Sequence, residues 1–577
     1  MFTNLKIFLG KENYYIVFFI LFLSTLSAFI ELFVINSLAL FVTLLVDTEL
    51  FLKSLPIKEL KIYLSALSKK DIIYNASYFI LIVVFIKTIF ITFVNYFEIN
   101  FFSKIKLVNS KKLFSYYITR NYNYYLNKYL PEMLSNSFHE MERAHTYLVQ
   151  IFACIREILL AILIFYLLFM KSFIITSICF MIFSILGLVY YFSIKNFLAK
   201  KSKETSYFHN KLFNILTNAL EDIKFIKVIN CEKKYIDSHG VFQSKVIDAE
   251  KFSTFFTRLP RAILELFGIL VFIISIFYFL KTNNDTSLII SELSIFGFAI
   301  LRLIPIFSII VSNFTNIKYF HKSFVKIAEE ITKNKNNNMQ NIYEKNNTPS
   351  DTENLRNIKN INLKDINFKY ESSTELVLKD VSVNFEYKKI TGIKGSSGSG
   401  KSTLIAILLG LLNPLDGKRI FEFDNNFSAE DAPKNTFGYV PQNIFLIDDS
   451  IRRNIALGID DDKINDEKII ECLKHANIYE KFINSKDKLN TNLGYRGLKL
   501  SGGQIQRISI ARAIYKLPSI LIIDEGFNQL DNDKEKKILE NIMKIKDLTI
   551  VMIYHKIFEE SLLDKIYSIE EFKLELK

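Results

Sequence analysis

The 577-residue chain is half apolar, with 54 Phe, 29 Tyr and a mean hydropathy of +0.21. That content excludes a disordered or low-complexity protein, which lacks the apolar mass to fold, and argues against a purely soluble enzyme. The net charge of +13, from 72 Lys plus Arg against 59 Asp plus Glu, fits either nucleic acid or the basic cytoplasmic loops of a membrane protein, so its distribution must decide. Four cysteines (Cys154, Cys179, Cys231 and Cys472) lie far apart without paired spacing, which suggests neither a disulfide framework nor a zinc site.

Long apolar runs begin at Tyr14 and near Ile73, Ile151, Phe173, Ile263 and Leu288. Each holds about 20 or more mostly apolar residues, the length that crosses a bilayer as a helix. Six spans are therefore predicted, the third and fourth split by a turn at Lys171–Ser172. The first is too long for a secretory signal and lacks a small-residue cleavage site, so it reads as a retained helix. The loop from 98 to 150 carries seven Lys or Arg and the loop from 195 to 258 carries twelve, whereas the connections at 171–172 and 281–287 carry one Lys each. The positive-inside rule then places both long loops, both termini and everything after span six in the cytoplasm. Residues 46–72, expected outside, hold five Lys beside four acids. Within them Ile57, Leu60, Leu64 and Leu67 recur at helical spacing, which fits an amphipathic helix on the outer interface or a solvated helical loop. Helical patterning across 100–130 and 200–255 predicts spans that continue well beyond the lipid.

Residues 333–360 are polar and Asn/Lys-rich and read as a linker between a membrane domain at 1–332 and a soluble α/β domain at 361–577. Strands are predicted at Ile361–Tyr370, Val381–Phe385, Ile390–Ile393, Phe437–Val440, Ile520–Ile523 and Thr549–Ile553. Between the third of these and a helix at Thr403–Leu412 lies "GSSGSGKST", comprising Gly395, Ser396, Ser397, Gly398, Ser399, Gly400, Lys401, Ser402 and Thr403. Glycines there let backbone N–H groups turn onto phosphate oxygens, and the helix N-terminus adds favourable partial charge. Lys401 is placed to reach the β- and γ-phosphates and the Ser402 hydroxyl to ligate Mg²⁺. In "SILIIDEG", four apolar residues form a buried strand that ends in Asp524, suited to the Mg²⁺ shell, and Glu525, placed as general base for water. In "LSGGQIQR", Ser501, Gly502, Gly503 and Gln504 open another helix and form a second anion-binding end.

In order and spacing these three segments resemble the ATP-binding-cassette family. The resemblance implies further roles. Tyr370 in "INFKY" matches the aromatic that stacks on adenine. Gln442 in "YVPQNIFL" matches the glutamine that touches Mg²⁺ and reports nucleotide state to the membrane domain. Asp531 in "NQLD" matches the family's D-loop aspartate, and His555 in "VMIYHK" matches the histidine that contacts the γ-phosphate. The sequence departs from the family in "GFNQLD" for the common "ATSALD", in Tyr495 where exporters commonly carry Glu, and in "YHK" for "AHR". The first departure bears on communication between the ATP sites, and the second on contact between the cassette and a cytoplasmic loop. Six spans before one cassette resemble the layout of half-size exporters. That layout implies a dimer with a second copy or a related half-transporter, each ATP held between Gly395–Ser402 of one chain and Ser501–Gln504 of the other. Coupling segments are expected near Arg120–Lys128 and Asn214–Asp222.

Charges inside spans are costly and mark functional positions. Lys87, Arg261 and Arg302 either form a basic belt for a phosphate or pyrophosphate or are neutralised internally, as Arg261 would be by Glu265 one turn on. "IKFIKV", "RLPRAILELFGILVF" and "AILRLIPIFSIIVSNF" resemble stretches of PglK-type lipid-linked oligosaccharide flippases. That resemblance implies a polyprenyl-pyrophosphate glycan cargo turned across a bacterial inner membrane, with membrane lipid as a partner and the amphipathic segment 57–67 engaging the tail. Peptide, drug or lipid A export and a membrane-tethered ATP sensor are the alternatives. Six spans argue against a nucleic-acid partner.

Overall fold

The computed structural model describes residues 2–54, 58–128, 130–282, 285–335, 358–371, 373–423, 428–430, 432–433, 435–527, 532–554, 560–570 and 573–576. The chain divides into one unit of residues 1–120 and 127–342 and a second of residues 121–126 and 343–577.

The apolar runs of the first unit become long helices: α1 Tyr14–Val46, α2 Lys69–Ile118, α3 Met141–Phe169, α4 Phe173–Glu221, α5 Glu232–Thr282 and α6 Thr286–Lys335. Six candidate spans are long and apolar enough to cross a membrane. Four of these helices have 49 to 51 residues. At 1.5 Å per residue each reaches about 75 Å, more than twice a hydrocarbon core, as the patterning beyond the lipid predicts. The turn between α3 and α4 falls at the predicted Lys171–Ser172. Phe183, Phe296, Leu303, Val271 and Ile164 are essentially fully buried between helices. Phe18, Phe85 and Phe277 are more than 60% exposed, the pattern of a lipid-facing surface. Pro260 and Pro305 sit inside α5 and α6; spanning helices tolerate this because neighbouring helices re-satisfy the freed carbonyls.

Between α1 and α2 run two short helices, Thr48–Ser54 and Lys58–Ser65. Of the expected apolar stripe, Leu64 and Leu67 pack against a cluster of Leu44, Phe51 and Ile72, while Ile57 lies outside the described residues. Ile62 and Tyr63 are left 73% and 63% exposed. A π-helical turn at Asn136–Glu140 leads into α3.

The second unit carries two sheets. An antiparallel one has the order β2-β1-β4-β5, from β1 Ile358–Phe368, β2 Leu378–Glu386, β4 Asp416–Phe423 and β5 Ser428–Ala429. The other has the order β10-β9-β3-β8-β7-β6, from β3 Ile390–Gly395, β6 Phe437–Val440, β7 Ile520–Asp524, β8 Thr549–Ile553, β9 Lys565–Glu570 and β10 Lys573–Leu576. Strands β9, β3, β8, β7 and β6 are parallel, and β10 is antiparallel to β9. Every residue of β7 and β8 is buried, as continuous apolar runs in a two-sided parallel sheet require. Because β3, β8 and β7 are neighbours, the loops after β3 and β7 open at the same sheet edge. Helix α7, Lys401–Leu408, starts two residues before the predicted Thr403 and stops short of the predicted Leu412. The left-handed Gly410 follows it, and the Arg419 guanidinium caps the Ile407 carbonyl at 2.8 Å. Residues 336–357, most of the expected linker, lie outside the described residues.

Candidate nucleotide site and membrane ion cluster

The phosphate loop turns on two glycines with positive φ, Gly398 at 81° and Gly400 at 100°. A Cβ at Gly400 would meet the Val377 carbonyl at 2.8 Å, so a side chain is excluded by space as well as by conformation. Lys401, 5% exposed, folds back across this loop and donates to the carbonyls of Gly395 (3.0 Å) and Ser396 (2.7 Å). Burial pulls its ammonium below the usual lysine range, while Glu525 and Asp524 oppose that shift. The lysine thus stands over the loop with both acids near it.

Asp524 closes β7 and is 5% exposed. Its Oδ2 accepts the Tyr439 hydroxyl at 3.3 Å. Burial first, and then the Asp524 carboxylate, push the Tyr439 phenol above its ordinary value and keep it a donor. Glu525 follows in the left-handed region at φ 53°, with its N–H on the Ile553 carbonyl at 3.3 Å. A non-glycine residue held there is strained, and such strain collects at functional positions. The consequence is visible in its side chain, whose Oε2 accepts Nε2 of Gln442 at 2.9 Å. Tyr370 shares a 2.9 Å hydrogen bond with the Thr403 hydroxyl and packs edge-on against Phe368. That places the expected adenine platform beside the first turn of α7.

Ser501 caps helix α8, Gly502–Tyr515, in a capping box with Gln504. Gln504 Oε1 accepts from both the Ser501 N–H (3.0 Å) and Lys481, and Arg507 ties the same turn to the Asn477 carbonyl at 2.8 Å. Ser501, Gly502, Gly503 and Gln504 therefore form a capped helix start flanked by Lys481 and Arg507, with its own hydrogen-bond network. Asp531 and His555 lie outside the described residues, as does the rest of "NQLD".

Two contributors were not visible as motifs. Tyr439 emerges only because β6 pairs with β7, setting Tyr439 opposite Ile522. Arg512 of α8 donates to the carbonyls of Phe445 (2.8 Å) and Asn454 (2.7 Å) and to Asn454 Oδ1 (2.9 Å). It thereby fixes the segment that follows Gln442. The Ser402 hydroxyl, the Asp524 carboxylate and the Gln442 amide oxygen are all hard oxygen donors, the set that suits Mg²⁺.

Among the described residues of the first unit, Lys87 and Arg302 meet on one carboxylate. Glu31 pairs through Oε2 with Lys87 at 2.5 Å and through Oε1 with Arg302 Nε at 2.7 Å. Arg261 does not join them; it pairs with Glu265 at 2.9 Å, one turn on in α5, and its side chain is 72% exposed. The three-residue belt is thus a pair of cations around an acid plus a separate intrahelical pair. A second cluster joins Arg156 to Glu98 at 2.7 Å and to Glu157 at 3.3 Å.

Residues 378–528 match the family model described as ABC transporter. An "ATP-dependent lipid A-core flippase" of Francisella tularensis subsp. holarctica is 35% identical over 209 residues, 36% of this chain and 34% of that protein. A Bacillus subtilis protein named for multidrug export, YgaD, is 36% identical over 213 residues, 36% of each chain. The chain thus spans about a third of the length of the relatives it matches. The solved structure of a bacterial Atm1-family ABC exporter with ATP bound shares the fold, with a TM-score of 0.77 and 17% identity over 97% of this chain and 94% of that one. The chain therefore joins six candidate membrane spans to a cassette that matches the ABC transporter family, in the fold of an ABC exporter.

Proposed function

We propose that the chain is an ATP-driven exporter subunit of a bacterial inner membrane, with its cassette in the cytoplasm, acting as a homodimer or beside a related half-transporter. The observation that carries this reading is the convergence of Lys401, Asp524, Glu525 and Gln442 beyond the ends of β3, β7 and β6. ATP phosphates would lie on the N–H groups of residues 395–402, and Lys401 would exchange its two loop carbonyls for β- and γ-phosphate oxygens. Ser402, Asp524 and Gln442 would hold Mg²⁺, which supplies charge neutralisation on the phosphates. Glu525 orients and deprotonates the attacking water, and Gln442, hydrogen-bonded to it, links that step to the segment fixed by Arg512. Ser501–Gln504 of a second copy complete the site, and Asp531 and His555 take their roles from the motif match. Glu525→Gln in the reconstituted full chain is expected to abolish ATP hydrolysis and transport while nucleotide still binds; an unchanged rate overturns the reading.

The cargo we infer is a lipid amphiphile with a phosphate-bearing headgroup, of which a polyprenyl-pyrophosphate-linked oligosaccharide is the preferred member. Arg302, the half-exposed cation of the cluster on Glu31, supports the headgroup. A cavity of about 500 Å³ between α1, α2 and the short external helices supports the tail, with Leu40, Phe41, Phe51, Leu64, Ile72 and Phe79 among its lining. A lipid A-type cargo, named for the Francisella relative, is the second reading. Vesicles carrying fluorescent forms of each lipid separate the two, since only the true cargo moves to the far leaflet on ATP addition.

A further inference from the structure

A carboxylate removed from water needs its charge compensated in place, because the desolvation cost of a lone ion is several kcal/mol. Glu31, inside α1, has one cation for each oxygen. The two cations are not equivalent. Lys87 is as hidden as the acid it pairs with, the side chains being 10% and 7% exposed, whereas the Arg302 side chain is 50% exposed. Lys87 and Glu31 therefore cancel each other as a buried pair. Arg302 carries the cluster's net positive charge and remains reachable. Glu31 engages it through Nε, so the terminal amino groups of the guanidinium fork are not consumed by that contact. The neighbouring cluster is opposite in sign, two acids on Arg156. Glu98 lies eleven residues after Lys87 in α2, about three turns along the same face.

We propose that Glu31 is a resident counter-ion. It holds Arg302 in the cargo-free chain and yields it to an anionic, phosphate-bearing headgroup, while Lys87 keeps Glu31 neutralised. The proposal rests on the phosphorylated-amphiphile reading above. The exchange breaks one of two ion pairs, so no bare charge is left among the spans. A phosphate can accept two parallel hydrogen bonds from the guanidinium and so outcompete a carboxylate held through Nε alone. A neutral headgroup offers nothing in return and leaves Arg302 on Glu31. Glu31 is thus a positioning residue that sets both the threshold and the charge selectivity of loading, and Arg302 is the group that touches the headgroup.

The test uses the full chain in phosphatidylcholine nanodiscs, with farnesyl pyrophosphate as probe and farnesol as its uncharged control. Half-saturation is read from ATPase stimulation and from direct binding. Replacing the buried pair together, Glu31→Gln with Lys87→Gln, avoids stranding either charge. It is expected to lower the half-saturating pyrophosphate concentration about two- to fivefold, the range for releasing a half-exposed ion pair, with farnesol still inert. Glu31→Asp, one methylene too short to serve both cations, is expected to move it the same way by less. Arg302→Gln is expected to raise it at least about tenfold. If Arg302→Gln loses the response while neither Glu31 variant gains affinity, the counter-ion role is overturned and the headgroup reading stands. If the wild-type chain hydrolyses ATP but responds to pyrophosphate no more than to farnesol, the cargo reading itself falls and takes the proposal with it.

Discussion

The cassette and the membrane unit place chemistry in different ways. In the cassette the working atoms belong to backbone turns and to side chains at strand ends: the loop after Gly395, the strained Glu525 at φ 53°, the Ser501 cap. Each is specified by a few consecutive residues, because a tight loop needs its glycines and a buried strand needs its apolar run. In the membrane unit the charged group is assembled from Glu31, Lys87 and Arg302 on three helices, and no short segment announces it. Function written into local backbone geometry shows as a motif; function written across helix packing shows only as isolated charges that the bilayer makes expensive.

The sharpest way to break this contrast is at Glu525. If the strand-end carboxylate acts on water as its position implies, Glu525→Gln lowers ATP turnover by about 10²–10⁴-fold, the span for loss of a general base. Nucleotide affinity, measured by equilibrium binding, changes little, since Lys401 and the loop amides are untouched. A rate that survives would move the chemistry away from the β7 end and leave the cassette a nucleotide sensor.

Arg512 tests whether the cassette's local motifs depend on a non-local brace. From α8 it reaches the carbonyls of both Phe445 and Asn454. Arg512→Ala strands the carbonyl of the buried Asn454, while the carbonyl of the exposed Phe445 turns to water, and is expected to cost about 1–3 kcal/mol of stability, read as an earlier denaturant midpoint for the full chain. The Gln442 segment should loosen with it, so ATPase should fall further than the stability loss explains.

These two residues mark the limit of what the sequence discloses. The phosphate loop, the Asp524–Glu525 strand and the Ser501 helix start were legible because each carries its own steric reason. So were the six spans, from length and apolarity. Strands β4, β5, β9 and β10 are not among the predicted ones: "DGKRIFEF" and "KIYSIE" are mixed and short and become strands through pairing with β1 and β3, and β5 and β10 then add to β4 and β9. Arg512 and Tyr439 were invisible for the same reason, since their partners lie far off in sequence and are brought close only by the sheet and by α8. Glu31 lies inside α1, but nothing in the order of residues says that it collects two cations.

A smaller effect is expected at Tyr439. Its hydroxyl donates to Asp524 over 3.3 Å, a long bond. Tyr439→Phe removes it while keeping the ring, so a loss of about 0.5–1 kcal/mol is expected, or roughly two- to fivefold in turnover at limiting Mg²⁺. Excess Mg²⁺ should restore most of the rate if the hydroxyl serves only to orient the carboxylate. A defect that Mg²⁺ does not relieve would instead give the phenol a direct part in the reaction.

The smallest effect separates the sequence expectation from the packing that replaced it. A belt of Lys87, Arg261 and Arg302 predicts that each cation matters to an anionic cargo. The structure instead spends Arg261 on Glu265 in an exposed intrahelical pair, worth about 0.3–0.5 kcal/mol, while Arg302 sits on the buried Glu31. Arg261→Gln should therefore leave half-saturation by a pyrophosphate lipid within about twofold of wild type. Arg302→Gln should shift it by a much larger factor under the same conditions. Equal losses from the two would mean that Arg261 exchanges Glu265 for the headgroup during transport, and that the membrane unit, like the cassette, keeps its chemistry where isolated residues had marked it.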